Sequence, residues 1–376
     1  MHTYHKLIWS DSRNMSAVTD ESVDLVITSP PYPMIEMWDS VFSQLNPKVS
    51  EALARNQGDQ AFELMHQELD KVWHESFRVL REGGFACINI GDATRTIGHR
   101  FQLYSNHSRI LTSFKKIGFD TLPVIIWRKQ TNAPNKFMGS GMLPAGAYVT
   151  LEHEYILIFR KGTKRIFQKP EEKLIRQRSS FFWEERNKWF SDVWFDLKGV
   201  SQGIKLNGAR DRSAAFPFEL AYRLINMYSV QSDMVLDPFM GTGTTILAAM
   251  ASCRNSIGIE IDASFGEYIV RSAINSVKDI NRKISQRFSD HFDFVDEYQT
   301  KKSPLGYVNK HYKFPVMTRQ EIELNIPYIS SITYNDEKQF CVVYSENPII
   351  RVIEGNTIEN SMEIKRTPKQ HRLALV

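Results

Sequence analysis

The sequence of 376 residues has few cysteines and no hydrophobic run of membrane-spanning length. Its three cysteines, Cys87, Cys253 and Cys341, are widely spaced, which excludes a dense disulfide framework and a CxxC metal pair. We therefore predict a reducing compartment and no metal site. The first residues also lack the apolar core of a signal peptide. Together these absences predict a soluble, cytoplasmic protein.

A strong charge of one sign is also missing, because the formal net charge is only +4. Hydrophobic residues make up 42% and charged residues 24% of the chain, which is ordinary for a globular protein with a sizeable core. The basic residues are concentrated between Arg160 and Arg178, where eight lysines and arginines accompany two acids. Such a segment is typical of a phosphate-binding surface and equally of a solvated loop.

Short apolar runs alternate with segments of helical periodicity along most of the chain. The helical segments are predicted to end at Gly83-Gly84 and at Gly118. Because apolar residues run together instead of alternating, both faces of the sheet are expected to be covered by helices. The pattern predicts an α/β fold with a mostly parallel sheet, and its strands are expected at Lys6–Trp9, Val23–Thr28, Phe85–Ile90, Pro123–Trp127, Tyr155–Phe159, Val235–Leu236 and Ile257–Ile261.

A glycine-rich turn, Asp237-Pro238-Phe239-Met240-Gly241-Thr242-Gly243, follows one predicted strand and precedes a helix that begins near Thr244. Glycines let the backbone turn sharply and approach a ligand closely. Glu260 lies 19 residues after Gly241, where nucleotide sites place a carboxylate for ribose hydroxyls. The turn lacks the GxGxxG pattern of dinucleotide sites and the GxxxxGK[ST] pattern of triphosphate sites. A small ligand made of a nucleoside and an amino acid is therefore favoured over a dinucleotide or a triphosphate. A tight turn with a solvated Glu260 is the alternative.

A second motif, Ser29-Pro30-Pro31-Tyr32, stands at the carboxyl end of the predicted strand Val23–Thr28. The two prolines have fixed φ and no N–H, so nearby carbonyls keep their direction without a local donor. Ser29 offers a hydroxyl that donates or accepts, and Tyr32 offers a flat face for stacking. The alternative is that the prolines simply close the strand while Ser29 caps a turn.

This array suits a planar amine. The exocyclic nitrogen of cytosine or adenine is a poor nucleophile, because its lone pair is delocalised into the ring. Acceptors aimed at both N–H groups, such as Ser29 Oγ and a backbone carbonyl, localise that lone pair, and Tyr32 can hold the base flat. Positioning of this kind supplies roughly 7–11 kcal/mol in well-oriented reactions, without a metal or a covalent nucleophile.

The two motifs, in this order at strand ends, resemble those of the DNA amino-methyltransferases, which make N4-methylcytosine or N6-methyladenine from S-adenosylmethionine. The catalytic motif precedes the cofactor motif along the chain, and this order resembles the β group of that family. The resemblance extends over residues 5–275. It implies a Rossmann-like S-adenosylmethionine-dependent methyltransferase fold. That fold has a mostly parallel seven-stranded sheet with one antiparallel strand, an inserted recognition region and a C-terminal extension.

The resemblance also assigns roles to residues. The catalytic residues are Ser29, Pro30, Pro31 and Tyr32. Those implied to bind S-adenosylmethionine are Asp11, Asp237, Phe239, Gly241, Gly243, Thr244 and Glu260. Contacts with DNA phosphates are expected from Lys164, Arg165, Lys169, Arg176 and Arg178. A loop with Asn132, Asn135 and Lys136 is a further candidate for DNA contacts. Most of the nearby tryptophans are expected in the core.

These interpretations divide the chain into a catalytic half (1–160), a target-recognition region (161–212), a cofactor half (213–284) and an extension without an assigned role (285–376). The resemblance implies double-stranded DNA as the substrate, and its target base must flip to enter an enclosed site. A restriction endonuclease would be a functional, not physical, partner. Serine at position 29 resembles the cytosine-N4 members. The alternatives are adenine-N6 methylation, an RNA substrate, and a non-catalytic DNA-binding protein that keeps the cofactor fold.

Overall fold

The computed structural model describes residues 1–129, 138–199, 216–302 and 304–345, and the structural statements below concern these ranges. The α-helices are α1 (Asp39–Leu45), α2 (Lys48–Ala54), α3 (Gly58–Val79), α4 (Asn106–Ile117), α5 (Pro170–Arg178), α6 (Trp183–Trp189), α7 (Phe218–Tyr228), α8 (Thr244–Ala251), α9 (Gly266–Asn275) and α10 (Val277–Lys301). Short 3-10 helices occupy Glu36–Trp38, Ala263–Phe265 and Arg319–Glu321.

The strands follow the same numbering in chain order. They are β1 (His2–Trp9), β2 (Val23–Thr28), β3 (Leu80–Ile90), β4 (Ala93–Ile97), β5 (Arg100–Tyr104), β6 (Phe119–Thr121), β7 (Ile125–Arg128), β8 (Met138–Gly139), β9 (Ala147–Tyr148), β10 (His153–Lys161), β11 (Val193–Trp194), β12 (Met234–Asp237), β13 (Asn255–Glu260), β14 (Tyr307–Val308), β15 (Pro315–Val316), β16 (Ile329–Tyr334) and β17 (Gln339–Tyr344).

The centre of the molecule is a sheet in the order β7-β10-β3-β2-β12-β13-β1, in which β10 alone runs antiparallel to the others. The predicted seven-stranded sheet with one antiparallel strand is therefore confirmed. It is widened at both sides, by β11 next to β7 and by β17 and β16 next to β1, while β6 also pairs with β10. Part of the C-terminal extension thus belongs to the main sheet.

Strand β2 shows why apolar runs predicted this arrangement. All six of its residues are buried. Leu25 and Ile27 belong to the core on one side of the sheet, whereas Val26 belongs to the core on the other. Successive side chains of a strand point to opposite faces, so a strand covered on both faces is mostly apolar. The two polar residues of β2, Asp24 and Thr28, lie near its ends and have polar partners.

One predicted helix end is wrong and another is confirmed. Helix α3 ends at Val79, and Gly83 and Gly84 lie inside β3, where the pairing with β2 shifts register. The chain enters β3 without a glycine stop, because Leu80 is already extended. Gly118 does end α4, with the left-handed φ of 118° that favours glycine at this position.

Most of the tryptophans between residues 180 and 199 are buried, as predicted, whereas Trp183, Phe190 and Phe195 are exposed. Phe182, Trp189 and Trp194 are buried, and Phe182 and Trp194 share one cluster with residues of β2, β12 and β17. In the described ranges, none of the helices combines the length and apolar character needed to cross a bilayer.

Candidate active site and cofactor cavity

Strands β1, β2, β12 and β13 are parallel, so their carboxyl ends meet at one edge of the sheet, where open α/β sheets bind ligands. A cavity of about 450 Å³ lies at this edge. It brings both predicted motifs together, since its lining includes Asp11, Ser29, Pro30, Pro31, Asp237, Phe239, Gly241, Thr244 and Glu260. Tyr32 and Gly243 do not line it.

Asp237 connects the two motifs. Thr28, the last residue of β2, donates from its hydroxyl to Asp237 Oδ1 (2.6 Å), as does the backbone N–H of Phe239 (3.0 Å). The hydroxyl of Thr245 donates to the other carboxylate oxygen (2.5 Å). The carboxylate therefore joins the end of β2, the glycine turn and helix α8, a role that sequence reasoning missed when it described Asp237 only as a cofactor ligand.

Burial raises the pKa of Asp237 from 3.8 to about 6, despite the hydrogen bonds that it accepts from Thr245 and Thr28. Because the folded-state pKa exceeds the unfolded value, folding favours the protonated form, and ionisation costs stability as the pH rises through about 6. The shift corresponds to about 3 kcal/mol. Asp237→Asn cannot ionise, so its melting temperature should increase relative to that of the wild type as the pH rises from about 4 to about 6. Parallel pH profiles of the two proteins, measured by calorimetry, would contradict this assignment.

Glu260 supports the glycine turn from the end of β13. Its carboxylate accepts from the backbone N–H of Gly241 (2.8 Å) and of Asp262 (3.0 Å). Gly241 and Gly243 have φ of 52° and 85°, values that L-residues with side chains rarely adopt. A Cβ on Gly243 would also lie 3.2 Å from the side chain of Ile269. The turn thus requires glycine for its conformation and places its backbone beside the cavity.

Arg13 is a cavity residue that the motifs did not reveal. It forms ion pairs with Asp11 (2.6 Å) and with Glu68 of α3 (2.6 Å), and Asn46 and Lys71 also donate to Glu68. Burial alone would raise the pKa of Asp11, but the hydrogen bonds and charge of Arg13 outweigh it and lower the pKa. The wall near Asp11 is therefore held in place by paired charges.

Behind Ser29 lies a second group of polar residues, Tyr32, Asn89, Glu154 and Lys129. Glu154 Oε2 accepts from the Tyr32 hydroxyl (3.0 Å) and from Asn89 Nδ2 (2.7 Å), while Lys129 Nζ lies 2.8 Å from Glu154 Oε1. Asn89 Nδ2 also donates to the Tyr32 oxygen (2.9 Å), and Ser29 Oγ lies 3.1 Å from that oxygen. We call these residues the Tyr32 network.

The network determines which way the Ser29 hydroxyl points. A carboxylate paired with an ammonium group only accepts hydrogen bonds, so Tyr32 must donate its single proton to Glu154. Burial, followed by the charge of Glu154, raises the pKa of Tyr32 well above its usual value, which keeps that proton in place. Ser29 must then donate to Tyr32, and its lone pairs remain for the cavity. Sequence reasoning had left Ser29 as donor or acceptor.

Only the sheet brings the Tyr32 network together. Antiparallel pairing of β10 with β3 sets Tyr155 opposite Ile90, which brings Glu154 next to Gly91. A Cβ on Gly91 would lie 3.0 Å from Tyr32 Cε2 and 3.4 Å from Glu154 Cγ, so the close approach of the ring depends on glycine. No motif marks Asn89, Lys129 or Glu154 in the sequence.

The predicted phosphate contacts are not brought to this cavity. Arg165 pairs with Asp24 (3.0 Å) and Asp233 (2.8 Å), two buried carboxylates at the amino ends of β2 and β12. Ser179, which directly follows α5, accepts a hydrogen bond from the backbone N–H of Gln231, just before β12. Helix α5 and Arg178 therefore lie at the same edge, at the amino ends of these strands. Lys164, Lys169 and Arg176 are exposed, and their contact with DNA stays a prediction.

The candidate loop residues Asn132, Asn135 and Lys136 lie outside the described residues. In the described ranges, no group of three or more His, Cys, Asp or Glu side chains could hold a metal ion.

The residues of the cavity fit a nucleoside joined to an amino acid. Its volume of about 450 Å³ lies within the usual range for small-molecule sites, about 300–1,000 Å³. Glu260 lines the cavity with a carboxylate of the kind that binds ribose hydroxyls, and Phe239, Ile261 and Phe265 line it with apolar side chains. The cavity continues from there to Ser29, so one ligand can reach from the glycine turn to the proline motif.

Comparison with known proteins agrees with this geometry. Residues 23–271 match the family model for the N6/N4 DNA methylases. The type II methyltransferase M.MthZI of Methanothermobacter thermautotrophicus is 51% identical over 350 residues, which cover 93% of this chain and 97% of the relative. The type II methyltransferase M.MjaI of Methanocaldococcus jannaschii is 51% identical over 273 residues, covering 70% and 88% respectively.

A solved structure is similar as well. A protein of Thermus thermophilus, assigned as a candidate DNA modification methylase and determined in complex with S-adenosyl-L-methionine, is 32% identical. The match covers 72% of this chain and 97% of that one, with a TM-score of 0.55. Motifs, cavity and relatives thus agree: the chain belongs to the N6/N4 family of DNA methylases and is a DNA methyltransferase that uses S-adenosylmethionine.

Proposed function

We propose that this enzyme methylates the exocyclic N4 amine of cytosine in double-stranded DNA. The observation that carries the proposal is the neutral serine at the first position of the proline motif, with its lone pairs available to the cavity. The Tyr32 network suits a hydroxyl at this position. A carboxylate there would compete with Glu154 for the single proton of Tyr32.

S-adenosylmethionine supplies the methyl group as a sulfonium. In the proposed reaction, Ser29 Oγ and a carbonyl of the Pro30-Pro31 step accept hydrogen bonds from the two N–H groups of the target amine. The amine nitrogen then attacks the methyl carbon in line, the bond from that carbon to the sulfonium sulfur breaks with a neutral thioether as the leaving group, and the amine releases one proton to solvent. Since the amine of a paired cytosine is inaccessible to an enclosed site, the base must leave the duplex stack before it enters.

The biological setting is proposed from the relatives. M.MthZI and M.MjaI are named as type II methyltransferases, and both are 51% identical to this chain. We propose the same class here, the modification enzyme of a restriction-modification system in the cytoplasm, with a restriction endonuclease as a functional partner. The division into catalytic, recognition and cofactor regions at residues 160, 212 and 284 is part of this proposal.

Within the proposed recognition region, 161–212, residues 195–199 are better placed to read DNA than the basic residues before them. Strand β11 runs parallel to β7, so the chain that leaves it emerges at the edge that carries the cavity. Phe195 is exposed at this edge. The backbone carbonyl of Leu197 accepts a hydrogen bond from the Trp127 side chain near the end of β7, which fixes this segment beside the strand. The basic residues 164–178 lie towards the opposite edge, and Arg165 is left out of the proposed DNA surface.

The modified base decides the proposal. Plasmid DNA incubated with the purified enzyme and S-adenosylmethionine, then digested to nucleosides, should contain N4-methylcytosine by mass spectrometry. N6-methyladenine alone would assign the enzyme to the adenine-specific members and overturn the cytosine proposal. The same reaction with RNA in place of DNA is the control for substrate class, and sequencing of the modified DNA gives the target site.

A further inference from the structure

The hairpin of β8 and β9 exposes an unusual number of large apolar side chains. Met142, Leu143 and Val149 are 85%, 70% and 83% exposed, and Tyr148 is half exposed. Single exposed apolar residues are common on soluble proteins, but a contiguous group of them marks a surface that binds something.

This hairpin stands at the same edge of the sheet as the cavity. It connects β7 to β10, and β7 runs parallel to β2, whose end carries Ser29. The strand that follows the hairpin begins with His153 and Glu154, and Glu154 accepts a hydrogen bond from Tyr32 of the proline motif. The strand that follows the hairpin therefore contributes Glu154 to the Tyr32 network, beside the site where the target amine is expected.

A second hairpin, β4 and β5, braces the first. Phe101 stacks on Tyr148 with ring centroids 4.7 Å apart and an angle of 16° between the rings. Arg95 of the second hairpin forms two hydrogen bonds with Asp39 (2.8 and 2.6 Å) at the start of α1, whose Phe42 lines the cavity. The exposed tip thus projects from a frame that is fixed to the cavity wall.

We infer that Met142 and Leu143 form a wedge that enters the DNA stack beside the target and fills the position left by the flipped base. The inference rests on the proposed function, since it assumes duplex DNA and base flipping. Apolar side chains such as Leu and Met separate base steps in other DNA-binding proteins. DNA is the favoured occupant because the hairpin follows β7 at the edge of the sheet that carries the cavity, where the target base is proposed to enter.

The test compares two substrates that contain the methylation site found for the wild-type enzyme. In one duplex the target is paired, and in the other it faces an abasic position, so that flipping costs less. The double variant Met142→Ser/Leu143→Ser should lose about tenfold or more in kcat/KM on the paired duplex and recover most of it on the abasic one. Leu143→Phe, which keeps an apolar wedge, should stay close to the wild type on both.

Ile166→Ser is the matched control, because Ile166 is 67% exposed but lies next to Arg165, away from the cavity. Calorimetric binding of S-adenosylmethionine confirms that each variant is folded. Equal losses on both duplexes, no loss at all, or a change of oligomeric state in place of a substrate effect would overturn the wedge. A wild-type enzyme that methylates no duplex DNA would instead overturn the proposed function.

Discussion

Ser29→Ala is expected to lower kcat for methyl transfer by about 10²–10³-fold, the usual effect of removing one pre-aligned hydrogen-bonding group from an active site. The variant loses the acceptor that localises the lone pair of the target amine. It leaves Glu260 and the glycine turn intact, so the Kd for S-adenosylmethionine should not change. Tritiated-methyl transfer at saturating substrates measures the first effect, and calorimetry without DNA measures the second. Activity within threefold of the wild type would remove Ser29 from the mechanism.

The Tyr32 network provides a graded test of the same mechanism. Tyr32→Phe removes the oxygen that accepts from Ser29. The Ser29 hydroxyl is then free to rotate, so that its proton points towards the target amine in place of an accepting lone pair. Glu154→Gln keeps an acceptor for Tyr32, whereas Glu154→Leu does not. We expect Glu154→Gln to retain more activity than Glu154→Leu, with kcat affected more than the KM for S-adenosylmethionine. Equal activity of the two Glu154 variants would show that the network does not orient Ser29.

Glu260→Ala is expected to raise the Kd for S-adenosylmethionine by about 10–100-fold, because a hydrogen bond to a charged group contributes about 1.5–3 kcal/mol. Two contributions disappear together, the acceptor for the ribose hydroxyls and the partner of the Gly241 N–H. Calorimetric titration of the protein without DNA measures the affinity directly.

Glu260→Gln separates these contributions. Its single amide oxygen can still accept from Gly241, but its NH2 group cannot accept from the Asp262 N–H or from the cofactor hydroxyls. We expect both the affinity and the thermal stability to lie between those of the wild type and Glu260→Ala. Unchanged affinity in Glu260→Ala would mean that the ribose binds elsewhere in the cavity.

The site could be predicted to the extent that it is made of short continuous segments. Ser29 to Tyr32 and Asp237 to Gly243 each follow a strand directly, so local patterning placed both at the same edge of a parallel sheet. The structural role of Asp237 in joining the two motifs was missed because two of its partners, Thr28 and Thr245, come from two different elements. A motif identifies residues that are adjacent in sequence, and a hydrogen-bond network does not require adjacency.

The basic segment shows the opposite limit. Its composition correctly indicated a charged surface, but composition carries no information about which edge of the sheet that surface occupies. The pairing of Arg165 with Asp24 and Asp233 places the segment at the amino ends of the strands. The apolar hairpin near Met142, which sequence reasoning passed over, is at the edge with the cavity instead.

The sequence by itself determined the fold class, the family, the order of the two motifs and the chemical types of the residues in each motif, because these depend on local periodicity and short spacings. Only the tertiary structure decided the direction of the Ser29 hydroxyl and the position of the cationic and apolar surfaces relative to the cavity. Those features depend on strand register and on contacts between residues as far apart as Tyr32 and Glu154, and such contacts exist only when the sheet has formed.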